Sequence, residues 1–291
     1  MLDSIARLRR FNRIVTREIG VLDTSYLGRG RPLGVARVLQ LVMPSGTDLA
    51  DIRATLDLDT GLLSRILRGL EEEGLIHVTT HPDDRRRRIA TLTAKGAAEK
   101  SAYEALGHSL AAEVLARAGT RAGELVAAMD LIASVMLRDQ VMLRDADPDD
   151  PAATYLIGSY YQFLIDNIPG VTRTQFSLPL SDVAKLRPPH GALLIAWSDD
   201  MPVGTASFRP LEPGVAEVKR LWVDPMARGQ GLARRLMQAL ESRARDMGYS
   251  RMKLDTNSAL VEAVALYRAM GWTETAPYSD PPADTWLSKP L

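Results

Sequence analysis

The chain has 291 residues, 46% of them hydrophobic and 25% charged, a composition typical of a water-soluble protein with two domains. The absence of cysteine excludes disulfides, thiolate metal sites and cysteine redox sensing, and no apolar run is long enough to cross a membrane. Because 36 lysines and arginines balance 36 aspartates and glutamates, any surface for nucleic acid must come from local clustering of charge.

The sequence pattern changes near residue 138. Residues 1–138 are predicted to be mostly helical, whereas residues 139–291 alternate between strands and helices. Arginines near the N-terminus are not followed by a continuous apolar segment, so we expect no secretion signal and a cytoplasmic protein. The two patterns predict two domains, and neither pattern predicts a metal site.

Four helices are predicted in the first part of the chain. Two of them span residues 4–22 and 33–43, and two shorter ones begin after the capping residues Asp48 and Asp59. The last of these four ends at Gly74. Strands over residues 75–80 and 88–93 then form a hairpin.

The helix after Asp59 has two different faces. Helical periodicity places leucines and Ile66 on one arc, which predicts the buried side. Arginine pairs with guanine in a major groove, and serine or threonine reaches bases or phosphates. The opposite arc is therefore a candidate DNA-reading surface, with an ordinary solvated face as the alternative. Its candidate residues are Thr60, Gly61, Ser64, Arg65 and Arg68.

The tip of the predicted hairpin is strongly basic. Arginines at such a tip can bind phosphates or enter a minor groove. Asp83 and Asp84 partly offset this charge, and one of them is expected to hold an arginine in place. The candidate DNA contacts here are Arg85, Arg86, Arg87 and Arg88.

Three motifs in this region resemble the MarR family of winged helix-turn-helix regulators. They are LSRILRGLE at residues 63–71, DRR at residues 84–86 and LTAKG at residues 92–96. The resemblance implies a mainly α winged-helix domain that binds double-stranded DNA at an operator. It also implies a homodimer built by long outer helices over residues 4–22 and 93–137.

A glycine-rich turn, Arg228-Gly229-Gln230-Gly231-Leu232-Ala233, follows a strand-like run and begins a helix-like run. Glycines allow a ligand to approach the backbone closely. The first amides of a helix have no partner within the helix, so they form a seat for a phosphate. The order strand, glycine turn, helix makes this motif the strongest functional signal in the sequence.

The second part of the chain resembles the GNAT acetyltransferase superfamily. Apolar runs at residues 192–197, 203–208 and 216–223 predict an antiparallel meander. A strand at residues 252–255, a helix at 260–270 and a last strand at 285–287 follow the glycine turn. VKRLWVDP at residues 218–225 and ALYRAMGW at residues 265–272 match the family together with that turn. The resemblance implies an α+β acetyltransferase fold with a mostly antiparallel mixed sheet.

The same resemblance implies acetyl-CoA as the cofactor. Its pyrophosphate would bind the amides of the glycine turn, and its pantetheine arm would lie along the backbone of Leu221 and Val223 like an added strand. Many family members carry an asparagine where this chain has Leu260, and Asn257 is nearby but out of register. The expected cofactor contacts are Leu221, Trp222, Val223, Arg228, Gly229, Gln230, Gly231, Leu232, Ala233, Arg234, Asn257 and Tyr267.

Two residues are candidates for catalysis. By the resemblance, Tyr267 donates a proton to the leaving thiolate; the alternative is a core aromatic. Glu217 is the candidate general base, or else a carboxylate that pairs with Lys219 or Arg220. Glu217 lies six residues before Val223, so the two-residue period of a strand predicts that both point to the same face.

The acceptor is less well specified by the sequence. Aromatic residues supply material for a pocket, with a place in the core as the alternative for most of them. Residues 277–281 resemble a segment that closes over the acceptor in small-molecule GNAT enzymes. A small amine is therefore expected as the acceptor.

The leading hypothesis for the whole protein is a DNA-binding regulator that is also an active N-acetyltransferase. The alternatives are a regulator whose second domain only senses acetyl-CoA or a metabolite, and an acetyltransferase whose first domain only dimerises. The aromatic residues that are candidates for the acceptor pocket are Tyr160, Tyr161, Phe163, Phe176, Trp222, Tyr278 and Trp286.

Overall fold

A computed structural model describes residues 3–81, 84–176 and 183–291. The chain divides into two compact units, Met1–Ala122 and Gly123–Leu291. The boundary expected from the sequence, after residue 138, lies at the other end of helix α6 (Ala122–Met136), which groups with the second unit. No helix in the described ranges has the length and apolar character needed to span a bilayer.

The first unit is mainly helical and contains a small sheet. Strand β3 lies in the centre of that sheet and is antiparallel to both β1 and β2. The predicted caps are present, because Asp48 accepts a hydrogen bond from Ala50 N at 2.7 Å and Asp59 accepts one from Leu62 N at 2.9 Å. Its elements are α1 (Ser4–Glu18), α2 (Leu33–Leu41), β1 (Thr47–Asp48), α3 (Leu49–Leu56), α4 (Thr60–Glu72), β2 (Ile76–Thr80), β3 (Arg88–Leu92) and α5 (Ala94–Ala118).

Helices α2, α4 and α5 surround the core of this unit. Leu63, Leu67 and Leu70 of α4 are buried, which confirms the predicted apolar arc. They belong to the same core as Leu39 of α2 and Tyr103 of α5. The opposite face of α4 is left exposed.

The outer helices differ from the prediction. The first one ends at Glu18 rather than near residue 22, because Gly20 takes a φ of +71°. The helix predicted over residues 93–137 is not continuous. It is interrupted at Gly119, whose φ of +56° ends α5, and α6 begins at Ala122. A glycine adopts this left-handed conformation without the cost that other residues incur.

The second unit contains a seven-stranded sheet with the order β4-β5-β6-β7-β8-β10-β9. Neighbouring strands are antiparallel except for β7 and β8, which confirms the predicted mixed, mostly antiparallel sheet. Its remaining elements are β4 (Met142–Asp145), α7 (Pro151–Asn167), β5 (Ala192–Ser198), β6 (Met201–Glu212), β7 (Val215–Val223), α8 (Leu232–Asp246), β8 (Arg251–Thr256), α9 (Val261–Ala269), β9 (Thr273–Glu274) and β10 (Thr285–Pro290).

Helices cover both faces of this sheet. Leu236 and Leu240 of α8 belong to the core on one face, and Leu156 of α7 belongs to the core on the other. Helix α7 is not among the predicted elements. Its signals were present, because Asp150 caps the helix by accepting from Ala152 N and Pro151 occupies the first turn.

A β-bulge interrupts β7 at Arg220, whose φ is +55°. The bulge adds one residue to the strand and so reverses the alternation of side chains beyond it. Val218 and Val223 consequently lie in the same core, on the α8 face. The prediction that Glu217 and Val223 share a face is therefore wrong.

Candidate functional site

The central feature of the second unit is an opening between β7 and β8. The two strands pair only over Val215–Glu217 and Arg251–Lys253, and the bulge at Arg220 follows directly in β7. Beyond that point the outer backbone edge of β7 faces two adjoining clefts instead of a neighbouring strand. A strand edge with free amides and carbonyls can pair with an extended ligand.

The first cleft, called the turn-side cleft here, has a volume of about 500 Å³ and contains the glycine turn. Gly231 is the N-cap of α8 with a φ of +78° and offers no side-chain cap, so the first amides of the helix stay available to an anion. Most predicted cofactor contacts line this cleft: Leu221, Trp222, Val223, Arg228, Gly229, Gly231, Leu232, Ala233, Arg234 and Tyr267.

Two predicted cofactor contacts lie elsewhere. Gln230 lines a small separate cavity together with Ser198 and Arg235. Asn257 lines the second cleft, where its Nδ2 donates to Pro282 O at 2.5 Å and its Oδ1 accepts from Ala259 N at 2.9 Å. The Asn257 amide is thus engaged by its own loop and by the loop that precedes β10. Leu260, at the position where many GNAT proteins have asparagine, contributes an apolar side chain to both clefts.

Arg228 holds the glycine turn against its surroundings. Its Nε donates to Val223 O at 3.0 Å, and its guanidinium lies 4.7 Å from the centre of the Phe163 ring. These contacts connect the turn to the end of β7 and to α7. The guanidinium is therefore positioned beside the turn-side cleft before any ligand is bound.

The second cleft, called the sheet-side cleft here, has a volume of about 320 Å³. It is lined by three aromatics of the unpredicted helix α7, namely Tyr160, Tyr161 and Phe163. Its charged lining could not be predicted from the sequence, because this lining depends on the bulge and on the separation of β7 from β8. That lining comprises Arg209, Lys219, Arg220, Asp255 and Asp280.

Tyr267 lines both clefts and is 7% exposed. Burial raises the pKa of its hydroxyl, and the negative charge of Asp255 acts in the same direction. The side chain therefore remains a neutral phenol, which is a hydrogen-bond donor. The alternative interpretation also has support, because Tyr267 contacts Trp272 with ring centres 6.2 Å apart and belongs to the core.

Glu217 is 2% exposed and is paired with two cations. Its Oε2 accepts from Arg209 Nε at 2.8 Å, and its Oε1 lies 2.8 Å from Lys219 Nζ. Lys219 also contacts Asp255 Oδ1 at 2.6 Å. Glu217 lines neither cleft. This geometry favours the alternative role of ion pairing, and a role as general base stays a prediction.

The other candidate aromatics occupy varied positions. Trp222 lies in the core against α7 and reaches the turn-side cleft. Trp286 Nε1 donates to Ser279 Oγ at 2.9 Å, and Ser279 in turn donates to Asp255 Oδ2 at 2.9 Å. Tyr278 lies beside Lys253, whose Nζ is 5.5 Å from the ring centre. The side chain of Phe176 lies outside the described residues.

In the first unit, the predicted DNA contacts of α4 and of the hairpin are all exposed, from Thr60 to Arg88. The hairpin is tied to α3 because Arg87 Nε donates to Asp48 Oδ2 at 2.6 Å. The Ala50 N–H and Arg87 together hold the pKa of Asp48 below its usual value. Asp84 binds Arg86, as expected for one of the two aspartates, whereas Asp83 lies outside the described residues.

Comparison with known proteins agrees with this geometry. A sequence model of the Acetyltransferase (GNAT) family matches residues 159–272, and one of the MarR family matches residues 30–87. An IAA acetyltransferase of Azospirillum brasilense is 31% identical over 155 residues, which cover 52% of this chain and 98% of that protein.

Other relatives are matched over a smaller part of their length. An uncharacterized N-acetyltransferase of Schizosaccharomyces pombe is 38% identical over 96 residues. The match covers 32% of this chain and 59% of that protein. Among solved structures, a PaiA N-acetyltransferase from Thermoplasma acidophilum in complex with coenzyme A is 14% identical with a TM-score of 0.43, covering 52% of this chain and 99% of that one.

The match to nearly the full length of the Azospirillum protein, together with the family match, identifies the second unit as an acyltransferase domain. The chain therefore belongs to the GNAT acetyltransferase family and carries a MarR-family domain in its first part.

Proposed function

We propose that this protein is a DNA-binding transcriptional regulator that also transfers the acetyl group of acetyl-CoA to a small amine. The observation that carries the enzymatic part is the pair of adjoining clefts. One of them contains the glycine turn and the available amides of α8, and the other is lined by aromatic and charged side chains. The two share Tyr267, which is where donor and acceptor would meet.

The residues of the turn-side cleft fit acetyl-CoA. Bound there, acetyl-CoA supplies an acyl group activated as a thioester. The amides that follow Gly231 and the guanidinium of Arg228 offer positive charge for a diphosphate. The outer edge of β7 at Leu221 and Val223, where Arg228 already binds the Val223 carbonyl, offers pairing for an extended arm. Asn257 and Gln230 remain weaker candidates because the structure supports their contact with this cleft less.

The proposed reaction forms an amide bond as the carbon–sulfur bond breaks, and one proton passes overall from the amine to the sulfur. Tyr267 is the group proposed to donate that proton or a hydrogen bond to the sulfur, because it is a neutral phenol on the wall shared by the clefts. Its burial also limits access of water to the reacting atoms.

A direct test is to incubate the purified full chain with acetyl-CoA and a panel of amines, and to follow release of the free thiol. We expect turnover with at least one small amine and none without an amine. If calorimetry detects binding of coenzyme A but no amine is acetylated, the enzymatic proposal fails while cofactor binding stands.

A sensor without turnover is the second candidate, and the pairing of Glu217 favours it. Both oxygens of the Glu217 carboxylate are already engaged by Arg209 and Lys219, and Glu217 lines neither cleft. The two functions differ in one measurement. If acetyl-CoA changes operator affinity and no amine is acetylated, the sensor is supported. If Tyr267→Phe abolishes acetylation and leaves operator control unchanged, catalysis is the role of the second unit.

The proposal of DNA binding is supported by the exposed face of α4 and by the basic hairpin. Lysine and arginine contacts to phosphates release counterions, so affinity should fall steeply as salt increases. We expect Arg65→Gln to weaken a selected operator about 10-fold more than it weakens random DNA, because base contacts carry specificity. Equal weakening of both DNAs would contradict a base-reading role for Arg65. The absence of salt-dependent binding to any DNA would favour a first unit that only dimerises.

A further inference from the structure

Arg220 is a buried cation in the sheet-side cleft. The residue is 7% exposed and lines this cleft but not the turn-side cleft. Its Nε donates to Tyr161 Oη at 3.0 Å, while its Nη1 is enclosed and has no hydrogen-bond partner among the described residues. A buried charge without a partner costs free energy, so its presence calls for an explanation.

The neighbouring cluster of charges does not include Arg220. Arg209 and Lys219 share Glu217, and Lys219 also holds Asp255. Asp280 is a further carboxylate in the lining of the cleft. Across the described parts of the chain, Arg220 forms no salt bridge with any of these carboxylates, so its guanidinium is available to an anionic ligand.

The backbone at Arg220 is also unusual. Its φ of +55° lies in the left-handed region, which costs free energy for every residue except glycine. The bulge that imposes this conformation also turns the side chain into the cleft between β7 and β8, where Tyr161 orients it. A strained position that presents a preoriented guanidinium is typical of a binding residue.

We propose that Arg220 binds a carboxylate of the acceptor, so that the acceptors are amino acids or closely related amino carboxylates. The inference rests on the proposed acetyltransferase function. A guanidinium binds a carboxylate through two parallel hydrogen bonds, a pairing that a neutral amide does not reproduce. An acceptor anchored at Arg220 occupies the sheet-side cleft, whose wall includes Tyr267, where its amine is available for acylation.

The test compares each of the twenty amino acids with its carboxamide as an acceptor for the full chain and acetyl-CoA. The wild-type protein is expected to favour at least one amino acid over its amide by about 10-fold to 100-fold in kcat/KM, the range for hydrogen bonds to charged groups. Arg220→Gly is expected to reduce that preference to less than about 3-fold through a higher KM, since kcat does not depend on the anchor.

Glycine is chosen because it accepts the positive φ, so this variant should fold even if Arg220→Gln does not. Arg268→Gln serves as a matched control, because Arg268 is an exposed arginine of α9 that pairs with Glu274 and lines neither cleft. It should retain the preference. Wild-type protein that uses acids and amides equally would overturn the inference, as would an Arg220→Gly variant that keeps the preference.

Titration with N-acetyl amino acids and their amides separates this inference from the enzymatic proposal. The acids carry the carboxylate, the amides lack it, and neither kind of compound needs turnover. Binding of the acid form that is lost in Arg220→Gly supports the carboxylate site even if no amine is acetylated. Equal binding of both forms, or no binding of either, contradicts it.

Discussion

Tyr267 lies on the wall shared by the two clefts, and burial keeps its hydroxyl group neutral. We expect Tyr267→Phe to lower kcat by about 100-fold, near the lower end of what general acid catalysis contributes. Because the ring stays in the core, the melting temperature and the affinity for coenzyme A should change little. Steady-state kinetics with the best acceptor provides the measurement. A loss of less than about 3-fold would identify Tyr267 as a packing residue.

Glu217, the predicted general base, is paired with Arg209 and Lys219. Glu217→Gln removes a buried charge between Arg209 and Lys219, so we expect a loss of about 3 kcal/mol in the free energy of unfolding. Denaturant unfolding measures it. The opposite result is a variant whose stability is unchanged, whose kcat is at least 100-fold lower, and whose profile of activity against pH lacks the acidic limb. That result would restore the role of general base.

At the scale of single elements, the glycine turn before α8 combines an accessible helix terminus with two positive φ angles. A side chain at Gly231 meets no atom within 4 Å, so substitution acts on the backbone conformation rather than by collision. We expect Gly231→Ala to weaken coenzyme A binding roughly 10-fold, since a left-handed alanine costs about 1–2 kcal/mol. Isothermal titration calorimetry tests the effect.

Gly248 is the matched control for that experiment. It follows the C-terminal end of α8 with a φ of +86°, and an added side chain likewise meets nothing within 4 Å. Gly248→Ala should destabilise the fold to a similar extent and leave coenzyme A binding unchanged. Equal weakening by both substitutions would show that general destabilisation, and not the phosphate seat, is responsible.

A network of charges joins elements of the first unit. Glu99 of α5 accepts from Arg29 Nε at 3.0 Å and from Arg31 Nη1 at 2.8 Å, and Arg31 also binds Glu73 beside the end of α4. The hydrogen bonds from Arg29, followed by those from Arg31, lower the pKa of Glu99. This contribution to stability is complete above the unfolded pKa of about 4.3 and is lost as the pH falls through the folded pKa.

Glu99→Gln is therefore expected to lower the free energy of unfolding by about 2 kcal/mol at neutral pH, the scale of a hydrogen bond to a charged group. The difference from the wild type should begin to shrink as the pH falls below the unfolded pKa of about 4.3, and it should vanish below the lower folded pKa, where both side chains are uncharged. Urea unfolding at pH 7 and pH 3.5 measures both differences. A difference that does not depend on pH would show that the charge of Glu99 contributes nothing.

At the scale of the whole molecule, α1 has the composition of an interface. None of its residues is buried, yet Ile5, Leu8 and Phe11 are 66%, 53% and 38% exposed along one side of the helix. A helix with an apolar stripe is stabilised mainly by burying that stripe. We propose that a second copy of the chain covers it, in keeping with the dimer expected for a MarR-like protein.

Sedimentation should show a dimer of the wild-type chain, and the double variant Leu8→Glu, Phe11→Glu is expected to raise the dimer dissociation constant at least about 10-fold, because two charges would be buried. Arg10→Glu, on the opposite side of α1, is the control and should leave the dimer intact. A wild-type monomer, or a double variant that remains fully dimeric, would contradict this interface.

The sequence alone determined the features that depend on local patterns. The caps Asp48 and Asp59, the apolar arc of α4, the glycine turn and the apolar runs of β5, β6 and β7 each appear in a short stretch of residues. Hydrogen bonding of neighbouring backbone groups and the periodicity of side chains fix these features. For the same reason, two families could be named from contiguous motifs in the correct order.

Tertiary structure decided what depends on residues distant in the sequence. The bulge at Arg220 arises from the register between β6 and β7, and it reverses the face of Glu217 relative to Val223. The pairing of Glu217 with Arg209 joins two strands, and Tyr161 comes from α7. A bulge adds no distinctive residue to the sequence, and an ion pair forms only when a particular register brings opposite charges together, so neither could be derived from local periodicity.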